Sequence, residues 1–304
     1  MKILHAEVRA SEEAAEIARK LGWEVHNDQI EPGSFGGMCD AAWMTEAQFH
    51  RRQFTRKVCV HGSAPNGMVM FGVSGPYSNG ARFAGHWITS DAICVLPHGE
   101  ESMVHLPANQ LFTIFGIMCE SLGRAWQAMA QTSFRLRTGA LPVPTAFMPP
   151  LRRVLEEACA PSPLPDSVLI ERVLATLCMT LTAADPLPPS CLASRNAWRY
   201  VRRVRAYLSD HPGEAPGLEA LCRITGVGAR TLETSFREVT GLSPMKFLRV
   251  RRLNAGRHTL ATGDPNEISV KSVAMSQGFW HLGRFASDYK LLFGENPLAT
   301  LTHR

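Results

Sequence analysis

The chain has 304 residues and no uninterrupted apolar run of the roughly 18 residues that a membrane-spanning helix needs, so no membrane partner is expected. Its eight cysteines are scattered and form no C-x-x-C pair, which speaks against a disulfide or zinc framework. They read as buried free thiols in a reducing, cytoplasmic setting. The first 20 residues lack a long apolar core behind a basic head, so they do not read as a signal peptide. Charged residues are only 19%, too few for a disordered or coiled-coil chain. No Ser-His-Asp set and no Gly-rich phosphate loop stands out, and no cofactor motif is present. Histidines occur at His61, His86, His98 and His105, yet the closely paired histidines of metal-binding barrels are missing. Glu100 and Glu101 lie between the last two, at a spacing that suits no common metal motif. The expectation is a protein without metal and without catalysis.

What is present is unevenly spread. Residues 195–304 hold 17 Lys/Arg against 9 Asp/Glu, a balance of +8; residues 1–194 hold 15 against 18, a balance of −3; together these give the net +5. Only one end of such a chain is suited to a polyanion. The sign changes near Thr182–Asn196, where Pro186, Pro188 and Pro189 stiffen the backbone and remove donors. These signals predict a first domain over 1–183, a proline-rich linker over 184–194 and a second domain over 195–304.

Residues 55–119 are rich in short apolar runs with β-branched and aromatic members, such as "GMVMFGVSG" and "LFTIFGIMC", separated by turn residues. They predict a small antiparallel barrel or sandwich. Helical patterns flank it: "SEEAAEIARKLG" near the start, then Pro150–Cys159 and Pro165–Thr182. The last is apolar almost all round, which predicts burial within the domain or against a second copy of the chain. The fold class is therefore α+β, with an all-α second domain.

That second domain contains a repeat. Leu232, Phe236, Gly241 and Pro244 recur 53 residues later as Phe285, Tyr289, Gly294 and Pro297. Upstream, Cys222 and Gly226 recur 52 residues later as Ala274 and Gly278, so a single residue is added at the turn. Each unit reads as helix, glycine turn, helix, with a small residue four before the glycine to let two helices cross closely. This is the helix-turn-helix pattern. Ser243 and Pro244 make a good start for a connecting helix, cap then N1 proline.

Residues 195–304, and above all "SVKSVAMSQGFWHLGRFASDYKLLFGENP", resemble the DNA-binding domain of AraC/XylS-type transcription regulators. The wording "GFWHLGRF" is closest to the ethanolamine-utilisation regulator subgroup. "QIEPGSFGG" and "GVSGPYSNGARFAGHW" resemble the effector domain of the same subgroup more loosely. The resemblance implies two helix-turn-helix units bound in consecutive major grooves of promoter DNA and joined by a linker helix. It also implies a cupin-like N-terminal domain, often dimeric, that senses a small molecule, and an activator that meets RNA polymerase. Gly228 departs from the pattern, standing where the first reading helix often carries a Ser cap. Two rival readings remain: a cupin-type metal enzyme fused to a DNA-binding domain, and a ligand-independent regulator controlled by abundance or a protein partner.

Candidate roles follow. In the first unit Arg230, Thr231, Glu233 and Thr234 are expected to read bases, Arg230 through guanine O6/N7 and Glu233 through cytosine N4. In the second, His281, Gly283, Arg284 and Ser287 form the corresponding face, with Phe279, Leu282, Phe285 and Tyr289 as core and Trp280 packed on the linker helix. Arg237, Lys246, Arg249, Lys271 and Lys290 are expected to grip phosphates, which positions the protein without specifying sequence. Phe71, Phe83, His86 and Trp87 are the candidate wall of an effector pocket.

Overall fold

In the computed structural model, residues 1–76, 80–130, 136–185, 191–211 and 213–302 are described, those of 191–195 by their backbone alone. The prolines of the expected linker, Pro186, Pro188 and Pro189, lie outside the described residues. The chain forms two compact units. The first comprises Met1–Asn27, Gly36–Thr55 and Val60–Pro189, and the second Asp28–Phe35, Arg56–Cys59 and Ser190–Arg304. The second unit is thus not contiguous in sequence.

The chain begins with β1 (Lys2–Val8), α1 (Ser11–Arg19), β2 (Glu24–Gln29), β3 (Gly37–Trp43) and β4 (Ala47–Phe54). There follow β5 (Val58–Ser63), β6 (Met68–Ser74), β7 (Ala81–Phe83), β8 (His86–Ile88), β9 (Ala92–Leu96), β10 (Glu101–Leu106) and β11 (Phe112–Met118). Then come α2 (Cys119–Ala130), β12 (Gly139–Pro142), α3 (Met148–Ala158) and α4 (Asp166–Thr182). The larger sheet has the order β1-β3-β4-β11-β6-β9-β12 and the smaller the order β2-β5-β10-β7-β8. Strands therefore begin at residue 2, well before the β-rich stretch expected from residue 55. The early strands mix His, Asp, Arg and Gln into their alternation, which hides them from an apolar-run search.

Along β4, β11, β6 and β9 alternate side chains face opposite ways. Phe49, Phe115, Phe71 and Ile93 share one face and form a core with Met148, Leu151, Leu155, Val173 and Leu177 of α3 and α4. Phe71 stacks on Phe115 with ring centroids 5.3 Å apart. Burying each such ring contributes about 1.5–3 kcal/mol. The inward stripe of α4 is Leu169, Ile170, Val173, Leu174, Leu177, Cys178 and Leu181, while Val168 and Met179 are exposed.

The second unit is helical: α5 (Cys191–Asp210), α6 (Leu218–Thr225), α7 (Ala229–Thr240), α8 (Pro244–Thr262), α9 (Val270–Ser276), α10 (Leu282–Phe293) and α11 (Pro297–Thr302). Helix α5 begins inside the stretch read as linker. Asp28–Phe35 is tied into this unit by side-chain and main-chain hydrogen bonds. The buried Asn254 amide of α8 accepts from the Gln29 N–H at 2.9 Å and donates to the Gln29 carbonyl at 3.0 Å. The Gln29 side chain donates to the carbonyls of Glu31, Gly33 and Leu292. The Gly33 N–H reaches the Leu292 carbonyl at 3.1 Å, at the end of α10.

Seven described cysteines are free thiols, and all are buried except Cys119, which is exposed, and Cys222, which is half-buried. Among the described residues no helix is long and apolar enough to cross a membrane.

Candidate nucleic-acid interface

Two helix pairs, α6–α7 and α9–α10, build the site. In the first, the Gly226 N–H closes α6 on the Cys222 carbonyl at 2.8 Å, and Gly226 itself takes φ +74°, a region that suits glycine. Gly228 then stands as N-cap of α7 without a side-chain bond. Leu232, Phe236 and Val239 turn inward, and Phe236 meets the linker-helix Phe247 edge-on at 5.4 Å. Gly241 (φ +71°) ends α7, and the Ser243 hydroxyl accepts from the Lys246 N–H to start α8.

The second pair repeats this plan. Ser269 and Ser272 form a reciprocal capping box at the head of α9. Gly278 (φ +73°) makes the turn, and Phe285, Tyr289, Leu292 and Phe293 bury the inner face of α10. The Tyr289 hydroxyl needs a buried partner and has one: Thr300 Oγ1 at 2.7 Å, which donates in turn to Glu295 at 2.8 Å. Arg257 of α8 holds Glu295 at 2.8 Å and lies over the Phe293 ring.

The free faces fall where expected in part. Arg230, Thr231, Thr234 and Arg237 are exposed on α7. Glu233 is half-buried and pairs with Arg237 at 3.4 Å, so the expected reader and the expected gripper hold each other in the unbound chain. Lys246, Lys271 and Lys290 are exposed. Arg249 is instead paired with Asp288 of α10. His281, Gly283, Arg284 and Ser287 are exposed, and the Ser287 hydroxyl donates to the Gly283 carbonyl at 2.9 Å.

Two expectations, one of core and one of packing, fail at the front of α10. The helix begins at Leu282, so Phe279 and Trp280 belong to the turn before it. Phe279 is buried beneath the Arg252 guanidinium of α8, 4.9 Å from its ring centre. Trp280 does not pack on the linker helix but is 76% exposed, and Leu282 is 39% exposed rather than core. The physical reason is the added turn residue: only Phe279 can point inward before the helical period restarts. Trp280, His281 and Arg284 border a concave surface completed by Met245, Arg249, Arg252 and Asp288. Its three arginines against one carboxylate suit a phosphate backbone.

The four effector-pocket candidates are not gathered at one place. Phe71 faces α3 and α4 from β6. Phe83 pairs in register with His86 on β7 and β8, and Arg82 with Trp87, so Trp87 faces away from Phe83. Trp87 is 60% exposed and lies under the Arg82 guanidinium at 4.0 Å. Among the described residues no group of three or more His, Cys, Asp or Glu side chains is placed to hold a metal.

A helix-turn-helix fold with two exposed, mostly polar faces defines the class of the C-terminal unit. The helix-turn-helix domain family model matches residues 221–303. Over 100 residues the chain is 37% identical to the XylDLEGF operon transcriptional activator 2 of Pseudomonas putida, covering 33% of this chain and 64% of that one. It is 35% identical over 97 residues to a probable thc operon regulatory protein of Rhodococcus erythropolis, covering 32% of this chain and 29% of that one. A solved structure of a probable AraC family transcriptional regulator from Rhodopseudomonas palustris is 36% identical, with 34% of this chain and 94% of that chain covered and a TM-score of 0.30. The matches to the two curated relatives span less than two thirds of either one's length.

Proposed function

We propose that this chain is an AraC/XylS-type transcriptional regulator, acting as an activator on promoter DNA in the cytoplasm, and that it catalyses no reaction. The observation that carries this reading is the duplicated helix-turn-helix unit with Arg230, Thr231 and Thr234 exposed on α7 and His281, Arg284 and Ser287 exposed on α10. The two helices enter consecutive major grooves, and α8, 19 residues or about 28 Å long, spaces them near one turn of duplex. Arg237, Lys246, Arg249, Lys271 and Lys290 grip the backbone, Arg249 after leaving Asp288. The N-terminal unit is the sensor: it binds a small-molecule effector, and occupancy alters transcription. RNA polymerase and a second copy of the chain, met through α4, are further partners. The resemblance of "GFWHLGRF" to the ethanolamine-utilisation subgroup supports kinship of the reading domain with that subgroup and concerns DNA reading alone.

The test is unbiased selection of duplex sites with the full chain. One preferred site, lost when Arg230 and Arg284 are both changed to Ala, is expected, together with a steep fall of affinity with salt. Binding without any preferred sequence would overturn the reading.

A further inference from the structure

Strand β4 places Phe49 in the helix-covered core, so His50 and Arg52 occupy the same face as each other, one pleat apart, with His50 on the opposite side from Phe49. Both are buried, at 1% and 3% of full exposure. Their neighbours across the sheet are Ala41 and Cys39 on β3 and Ile114 and Phe112 on β11. Phe54, also buried, follows Arg52 on the same face, and Trp23 stands edge-on to His50 with ring centroids 5.1 Å apart. In these mostly apolar surroundings Arg52 Nη1 and His50 Nε2 meet no hydrogen-bond partner among the described residues.

A guanidinium does not shed its proton at physiological pH, and burying one without a counter-charge is among the most costly arrangements in a protein interior. Among the described residues, the nearby group whose ionised form would favour the Arg52 charge is the Cys39 thiol. Burial pushes that thiol up, so it stays protonated and neutral at pH 7. Burial, and next the Arg52 charge, hold His50 well below its ordinary value, so it too is neutral. The neutral imidazole can present an N–H at Nε2. Two hydrogen-bond donors thus stand side by side, and one of them carries a full positive charge. A planar two-oxygen anion answers both, because the guanidinium fork matches a carboxylate. The rings of Phe54 and Phe112 and the Ile114 side chain suit an organic body behind it.

We propose that the inner face of β3, β4 and β11 is a binding site for a small organic carboxylate, with Arg52 as its counter-charge and His50 as a second donor. This rests on the sensor reading above and names the chemical class of its effector. A sugar or an amine would leave the Arg52 charge unanswered.

The experiment uses the full-length protein and a panel of aliphatic and aromatic monocarboxylates, their primary amides, and inorganic phosphate. Thermal shift and equilibrium binding are read for the wild type, Arg52→Met, Arg52→Lys and His50→Gln. At least one acid is expected to raise the melting temperature by several degrees while its amide and phosphate do not. Arg52→Met should weaken that acid at least 100-fold, His50→Gln about 10-fold, and Arg52→Lys should retain part of the binding. Should Arg52→Met fail to fold, Arg52→Lys and His50→Gln still decide the matter. The proposal is overturned if an amide or phosphate binds as well as the acid, if binding is unchanged in the variants, or if no acid binds at all. An acid that binds at Arg52 yet leaves promoter output unchanged sinks the sensor reading and spares the site. A neutral effector that changes promoter output does the reverse.

Discussion

The two helix-turn-helix units share a plan and differ at the turn. Gly226 and Gly278 both take the left-handed conformation, but Ala229 opens α7 three residues after its glycine and Leu282 opens α10 four residues after. That one residue reorders the approach to the helix. In the first unit the turn is short and carries no large side chain into solvent. In the second, Phe279 goes inward and Trp280 goes outward. The cores differ too. Phe236 in the first unit needs only apolar neighbours, whereas Tyr289 at the matching place draws Thr300, Glu295 and Arg257 into a polar chain. One scaffold can therefore present a compact, charged face and a broader one with an exposed ring.

The largest expected effect tests how alike the cores are. Phe236→Ala and Phe285→Ala should each cost about 3–5 kcal/mol in denaturant unfolding, because both rings are fully buried. A far smaller loss at one of them would show that its unit collapses around the gap. Next come the reading faces. Arg230→Ala should cost about 1–3 kcal/mol at one base pair and relax preference there. Ser287→Ala should cost less, since its hydroxyl is already bonded to the Gly283 carbonyl. Competition binding against single-base variants of the site separates the two, and equal effects would contradict the contrast. Lys246→Ala and Lys290→Ala should weaken all sequences alike and lower the salt slope by about 1 each. The smallest effect concerns the caps. Gly228→Ser should stabilise α7 by a few tenths of a kcal/mol, since Gly is only slightly worse than Ser as N-cap. A loss of stability would mean that the turn has no room for the hydroxymethyl group, although nothing lies within 4 Å of a Cβ built there.

The helical unit was legible because its signals are local. Glycine at a left-handed cap, Ser-Pro at a helix start and inward residues three or four apart are each written within a few positions, as at Gly241, Ser243–Pro244 and Phe285–Tyr289. The front of α10 is not legible in the sequence because an apolar period cannot tell a turn residue from a helical one, so spacing alone puts Leu282 in the core, and nothing local says that Trp280 turns to solvent. The β unit was legible only where its strands are apolar on both faces, as in β6 and β11. Strand β4, "AQFHRRQF", lies before the stretch expected to be β-rich, yet it is a central strand with His50 and Arg52 buried. No local signal distinguishes a buried arginine from an exposed one; the register with β3 and β11 does. The effector-pocket candidates scattered for the same reason, since the alternation that separates Trp87 from Phe83 depends on which face is covered.

The pairing of Asn254 with Gln29 sets a timetable. These partners are separated by 225 residues, and on a ribosome adding about 5–20 residues each second the earlier one waits about 10–45 s for the later. During that interval the Gln29 main chain lacks the Asn254 amide and its side chain lacks the Leu292 carbonyl, while its bonds to the nearby Glu31 and Gly33 carbonyls can already form. The second unit can close only after α8 and α10 have emerged, with a loop of that length to be gathered. Its assembly is therefore a late and non-local event, although the helix-turn-helix units themselves are built from contacts close in sequence and form fast.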